Sequence, residues 1–335
     1  MESSSDYCDE NQTDDSLIVS GGIVIGWLLS VVTVFGNSLV ILAFITEKSL
    51  RLNPANLFIL NLSVADFLIG AFSFPLNTLW LMFGYWPFGE GVCKMLLIID
   101  YTACGISVCG IILISLDRYW MLKLKLKYLQ FQTTKRVTIM ILVSWAAVLP
   151  FYAIPILFWE KFRGEQIIDY SVICDIELKS LAYTLVAIFV NLLPSTIIIY
   201  LNSYVFKEIR HRTRINQNQS IHQVANNFIP ITTGHASLRS DRQNVDTTVS
   251  SMRSHRKAAI TLAALVSAFV ICWTPYSIVL IWSVISNDNS PAINVGSFVV
   301  NLLWWSNSAI NPFLYALTNL KIRSVIISCL LFCVK

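Results

Sequence analysis

The sequence predicts an all-α membrane protein, a seven-transmembrane helix bundle followed by a short C-terminal amphipathic helix. Two observations carry that expectation. The 335 residues are 55% apolar and only 13% charged, with a mean hydropathy of +0.63, which is too greasy for a soluble domain. Seven stretches, at about 17–46, 53–82, 92–121, 136–158, 179–206, 257–285 and 293–318, are each long and uncharged enough to cross the roughly 30 Å hydrocarbon core of a bilayer.

Residues 1–16 form an acidic leader, with Glu2, Asp6, Asp9, Glu10, Asp14 and Asp15 and no basic partner. Such a composition is expected to be a disordered, solvated tail. It lacks the basic and apolar regions of a cleaved signal, so the first span is expected to direct insertion itself. Orientation follows from Lys and Arg, which accumulate in cytoplasmic loops. One side of the seven spans holds 20 of the 24 basic residues, and the other holds only Lys94, Lys161, Arg163 and Lys179. The acidic N-terminus therefore falls outside, in a multi-pass plasma-membrane topology. There the "NQT" sequon makes Asn11 the one credible glycosylation site, since Asn61 and Asn218 fall in a span and in a cytoplasmic loop.

Span two carries Asp66 in "NLSVADFLIG". Span three reads "IIDYTACGISVCGIILISLDRYW", with Asp100 and the Asp117–Arg118 pair bracketing an uncharged run. The eighteen residues from Asp100 to Arg118 are five helical turns, about 27 Å along the axis. Asp100, Cys104, Ser107, Ile111, Ile114 and Arg118 thus share a face that joins an outer acid to an inner base. Prolines punctuate spans four to seven at Pro150, Pro155, Pro194, Pro275 and Pro312, and each frees a backbone carbonyl and allows a kink. Between spans five and six the polar loop at about 207–256 is expected to be disordered. After span seven, residues 319–335 carry an amphipathic piece too broken by Lys321 and Arg323 to cross the membrane.

The cysteines sort by side. Cys104, Cys109 and Cys272 lie within spans; Cys93 and Cys174 both face the oxidising side, where thiols can pair. Cys8 is left over outside. Cys329 and Cys333 sit on the amphipathic segment, where juxtamembrane cysteines take palmitate.

Ionisable groups inside spans are costly and mark function. Asp100 has no basic residue at helical spacing in its own span, so it is expected to bind a cation or to protonate. Tyr101, Trp273, Tyr276 and Trp305 lie near the outer ends of the spans and suit a cationic guest. Asp66, with Ser107, Asn307, Ser308 and Asn311, supplies oxygens for a small hard cation or ordered water. There is no metal-ligand pair, no nucleophile with a base and no Gly-rich phosphate loop, so an enzyme is not expected and no cofactor is required beyond a possible allosteric sodium ion. Span seven has no lysine for a retinal Schiff base. The chain also lacks the internal repeats and paired charges typical of a transporter. Nothing points to nucleic acid.

Taken together, Asn37 in "GNSLV", Asp66 in "LSVAD", Asp117–Arg118–Tyr119, Trp145, Pro194, "CWTPY" at Cys272 to Tyr276 and "NPFLY" at Asn311 to Tyr315 stand one per span and in order. In these residues the chain resembles a rhodopsin-class (class A) G-protein-coupled receptor over essentially its whole length. Within that class, "IDYTAC", "FSFPL", "YWPFGEGVCK" and "LISLDRY" look most like histamine receptors of the third and fourth subtypes in the biogenic-amine group, with muscarinic acetylcholine receptors next. The resemblance implies an outer disulfide between Cys93 and Cys174. It implies a ligand site of Asp100, Tyr101, Cys104, Tyr183, Thr184, Trp273, Tyr276, Ser277 and Trp305, with Asp100 pairing to an ammonium. It also implies an activation switch of Asp117, Arg118, Tyr119, Phe269, Trp273, Pro275, Asn311, Pro312 and Tyr315, in which Asp117 restrains Arg118 until the inner face opens. The partners it implies are a small cationic amine, most like histamine, a heterotrimeric G protein of Gi/o type, arrestin, receptor kinases and membrane lipid. Alternatives are a muscarinic-like acetylcholine receptor, another amine receptor, a constitutively active orphan receptor and, further off, a transporter. Two positions depart from the pattern. Val190 stands where those histamine subtypes carry a glutamate, and His255 stands where the class often has an acid to hold the span-three arginine.

Overall fold

A computed structural model of the chain describes residues 5–124, 127–163, 174, 192–212, 214–215, 264–279, 282 and 291–333, and among them every regular element is helical. The elements are α1 (Ser5–Thr46), α2 (Lys48–Arg51), α3 (Asn56–Leu68), a π-helical turn (Ile69–Ser73), α4 (Phe74–Phe83), α5 (Gly89–Leu124), α6 (Tyr128–Phe131) and α7 (Thr134–Arg163). They are followed by α8 (192–212), α9 (Ala264–Val279), α10 (Pro291–Thr318) and α11 (Leu320–Cys333). Among the described residues four unbroken spans are long and apolar enough to cross a bilayer: Val19–Thr46, Asn56–Phe83, Gly89–Leu124 and Thr134–Phe158. With α8, α9 and α10 they make the seven-helix bundle.

Several boundaries differ from those expected. The leader read as a disordered tail is helical from Ser5. α8 runs on to residue 212 rather than ending near 206. Arg212 explains why, since it bonds Glu208 one turn back at 2.7 Å and donates from Nη2 to the Leu122 carbonyl at the end of α5, at 2.8 Å.

Span two carries the π turn within its length, a feature that apolar patterning did not announce. Pro75 lies just beyond it; a proline ring clashes with the carbonyl four residues back, and a widened turn relieves that clash. The Gly70 carbonyl in this turn accepts a hydrogen bond from Ser30 Oγ of α1 at 2.8 Å. Gly70 is required here, because a Cβ would come within 2.9 Å of Thr33 Cγ2 and 3.0 Å of the Val34 backbone nitrogen. α4 ends at Gly84, whose φ of 72° is the left-handed cap that glycine adopts without strain.

α5 lies at the centre, packed against α3, the π turn and α7, while α1 packs on α3, α4 and α10. Polar groups tie helices across the core. Trp145 Nε1 donates to Asn61 Oδ1 at 2.8 Å, Asn37 Nδ2 to the Ser308 carbonyl at 3.2 Å, and Asn202 Nδ2 to Ser115 Oγ at 3.0 Å. With little hydrophobic driving force between helices in lipid, such bonds and close packing set which helices neighbour which. The exposed side chains of α1 and α7, Val24, Leu28, Val31 and Phe35 with Leu142, Val143, Phe151 and Ile154, are what a bilayer rather than water would cover. At the far end α11 leaves α10 at a bend of 104°. Asn319 Oδ1 caps it by accepting from the Lys321 and Ile322 backbone N–H groups at 3.1 and 3.4 Å. Ile322 is buried while Lys321 and Arg323 are exposed, as a surface-lying amphipathic helix requires.

Candidate functional site

Three polar stations lie along α5. The first is near the end closed by the Cys93–Cys174 disulfide, which joins positions 81 residues apart and packs with Trp86, Leu96 and Leu97. Asp100 is only 7% exposed, and its Oδ1 accepts the Trp305 indole N–H at 3.1 Å. Aromatic rings surround this pair. Phe74 meets Trp305 edge-on at 5.7 Å, Trp304 lies parallel to Trp305 at 6.3 Å, and Tyr101 stacks on Tyr152 at 5.5 Å. Trp304 stacks on Tyr276 at 4.7 Å and crosses Trp273 at 5.4 Å, and Trp273 stacks on Phe269 at 5.0 Å. An unbroken set of ring contacts therefore runs from the Asp100 carboxylate to Phe269. A carboxylate walled by π faces is suited to hold an ammonium, which both attract.

Cys104 lies buried one turn along α5 from Asp100. Ser277 is also buried, but its hydroxyl donates to the Trp273 carbonyl in its own helix at 3.1 Å. Its oxygen is thus taken up by the backbone that carries it. Tyr183 and Thr184, like Val190 and His255, lie outside the described residues.

The second station is Asp66, which is fully buried. Its Oδ1 accepts from Ser107 Oγ at 3.1 Å and its Oδ2 from Asn311 Nδ2 at 2.8 Å, so α3, α5 and α10 meet on one carboxylate. Ser308 and Asn307 are buried as well, and Asn307 Oδ1 accepts nothing among the described residues. Carboxylate, hydroxyl and amide oxygens are the ligands a small hard cation takes.

The third station is Asp117, whose hydrogen bonds come from groups other than the adjacent Arg118. Its Oδ1 accepts from Tyr128 Oη at 2.7 Å and from Gln132 Nε2 at 2.8 Å, both from the loop beyond α5. Burial, and after it the Asp117 carboxylate, push the Tyr128 phenol above its usual range, so it keeps its proton and donates. Arg118 instead points its Nη1 at Met121 Sδ, 3.8 Å away. Tyr119 sets its ring at a tilt of 59° against Tyr204, centroids 4.9 Å apart, tying α5 to α8. Pro275 and Pro312 stand inside α9 and α10, and Tyr315 is buried against the core.

Three participants escaped the sequence reading. Tyr128 opens the short α6 and Gln132 follows it, in a segment that entered the sequence reading only through its charge. Trp304 was passed over in favour of Trp305, although "LLWWSNS" puts two indoles side by side on a helix with little exposed surface. Asn11 falls within α1 and Cys329 and Cys333 within α11.

A membrane bundle whose central helix carries a caged carboxylate near one end and an arginine at the other has the layout of a receptor that links a small-molecule site to the opposite face. The chain belongs to the rhodopsin family of seven-transmembrane receptors, whose family pattern matches residues 36–315. It is similar to the 5-hydroxytryptamine receptor 1E of Cavia porcellus, at 28% identity over 87% of each chain. It is similar also to the octopamine receptor beta-1R of Drosophila melanogaster, at 27% identity over 94% of this chain and 63% of that one. A shorter stretch, 56% of this chain and 29% of the other, is 36% identical to the muscarinic acetylcholine receptor M3 of Gallus gallus.

Proposed function

We propose that this chain is a plasma-membrane receptor, N-terminus outside, that binds a small cationic amine and couples it to activation of a heterotrimeric G protein. The observation that carries the reading is the buried Asp100 carboxylate, held by the Trp305 N–H, with Phe74 and Trp304 packed on that indole. The names of its relatives support it, since serotonin, octopamine and acetylcholine each carry a cationic nitrogen. Tyr101, Cys104, Trp273, Tyr276 and Trp305 line the site, and Tyr183 and Thr184 complete it. Ring contacts to Phe269 pass occupancy to Pro275 and the inner half of the bundle. Binding then shifts a population: the amine favours an arrangement in which the inner end of α9 moves out and Arg118 meets the G protein.

Among amines, histamine is favoured by the motif resemblance, and with it Gi/o coupling; Val190 in place of an acid leaves serotonin, octopamine and acetylcholine in contention. Asp66, Ser107, Asn307, Ser308 and Asn311 hold a sodium ion that supports the inactive arrangement. Arrestin and receptor kinases act on the inner face, Asn11 carries glycan, and Cys329 and Cys333 carry palmitate. A second reading, high agonist-independent signalling, is favoured by one observation: Asp117 accepts its hydrogen bonds from Tyr128 and Gln132 rather than from Arg118.

The test is G-protein activation in cells expressing the chain, with histamine, serotonin, octopamine and acetylcholine applied to the native sequence and to Asp100→Ala at matched surface density. A response to one amine that disappears in the variant is expected. Signalling without amine, unchanged by the variant, would move the function to a constitutive receptor.

A further inference from the structure

Trp304 is the hub of the ring cluster, in contact with Tyr276, Trp273, Trp305 and Tyr101 at centroid distances of 4.7, 5.4, 6.3 and 6.4 Å. Its side chain is 7% exposed, yet its Nε1–H reaches no acceptor among the described residues, and neither does that of Trp273. Trp305, the next residue, gives its N–H to Asp100. Three indole donors thus gather in one cluster, and only one is matched. A buried donor left without an acceptor is costly, whereas phenylalanine would supply a ring without that cost. Packing therefore accounts for an aromatic side chain at 304 but not for an indole. An ammonium cannot answer the need, because it only donates. The group that is wanted is an acceptor.

We infer that Trp304 determines specificity: the ligand is an amine that also carries a neutral hydrogen-bond acceptor, and this acceptor takes the Trp304 N–H while the ammonium pairs with Asp100. The chemical class is an amine bearing an ester or other carbonyl oxygen, a hydroxyl oxygen or an sp2 ring nitrogen, set about one ring's breadth from the charge, on the scale of the 6.3 Å between Trp304 and Trp305. Because the Trp304 indole is sealed against Tyr276, the acceptor reaches it as that stack parts, and the new bond offsets the lost contact. The inference rests on the amine reading above and adds to it the second half of the ligand.

The test uses the full-length receptor in membranes and competition binding of matched pairs: serotonin against tryptamine, octopamine against phenethylamine, and acetylcholine against pentyltrimethylammonium. For a pair that binds, the acceptor-bearing member is expected to be tighter by about 10- to 100-fold. Trp304→Phe is expected to erase that difference by weakening the acceptor-bearing member more than its partner, and a surface density equal to that of the native chain shows that the variant is folded. Equal affinities within every pair on the native chain, or a preference that survives Trp304→Phe, would overturn the inference while leaving the amine receptor intact. Should no amine bind the native chain, or should binding survive Asp100→Asn, the amine reading itself fails and takes this inference with it.

Discussion

At the scale of the residue, Asp100 and Trp305 act as one unit. The indole N–H reaches the carboxylate at 3.1 Å, and hydrogen bonds to charged groups in buried sites are worth about 1.5–3 kcal/mol. Trp305→Phe keeps the ring and removes the donor, so amine potency is expected to fall by about 10-fold or more in a concentration–response measurement at equal surface density. Ser277→Ala is expected to leave potency nearly unchanged, because the Ser277 hydroxyl already serves the Trp273 carbonyl. The sequence made Asp100 legible, since an acid in an apolar span demands a reason. Trp305 was named beside it and Trp304 was not, because neighbours on a helix differ by about 100° and nothing in apolar patterning says that the second indole also turns inward. Asp66 was legible for the same reason as Asp100, and Ser107 and Asn311 do bond it.

At the scale of the element, the loop after α5 changes how the arginine end reads. Tyr128 and Gln132 hold the Asp117 carboxylate that the motif assigned to Arg118. Removing both donors in Tyr128→Phe with Gln132→Leu frees that carboxylate to pair with Arg118, so agonist-independent signalling is expected to fall; a rise would show that the loop itself is the restraint. Charge counting found this loop but not its hydrogen bonds, because contacts between a short loop and a helix end leave no periodic trace. The π turn of span two was equally hidden. Pro75 was visible, but whether a helix answers proline with a kink or a widened turn is settled by its neighbours. Gly70→Ala in that turn is expected to cost about 1–3 kcal/mol, seen as a lower melting temperature of the purified receptor, since the Val34 backbone cannot move aside as a side chain can.

At the scale of the whole molecule, hydropathy sufficed for the bundle, because each span must satisfy its own backbone in lipid and so announces itself by length. The order of motifs along the chain sufficed for the family. What patterning could not supply was the start of α1 at Ser5 and the extension of α8 to residue 212, both beyond the apolar runs; α8 continues on the Arg212 bonds to Glu208 and to the Leu122 carbonyl. The Cys93–Cys174 bridge spans 81 residues of chain, and disulfides that close long loops typically contribute about 2–4 kcal/mol. Loss of both cysteines is expected to lower surface expression and amine affinity together, read by flow cytometry and radioligand binding.

The central claim is that the Asp100 carboxylate holds the ligand's charge, and radioligand binding of the responding amine to Asp100→Asn and Asp100→Glu beside the native chain tests it most directly. Asparagine keeps size and polarity but removes the charge, so binding is expected to vanish with asparagine and to return in part with glutamate, at unchanged surface density. Binding that survives in Asp100→Asn would contradict the claim.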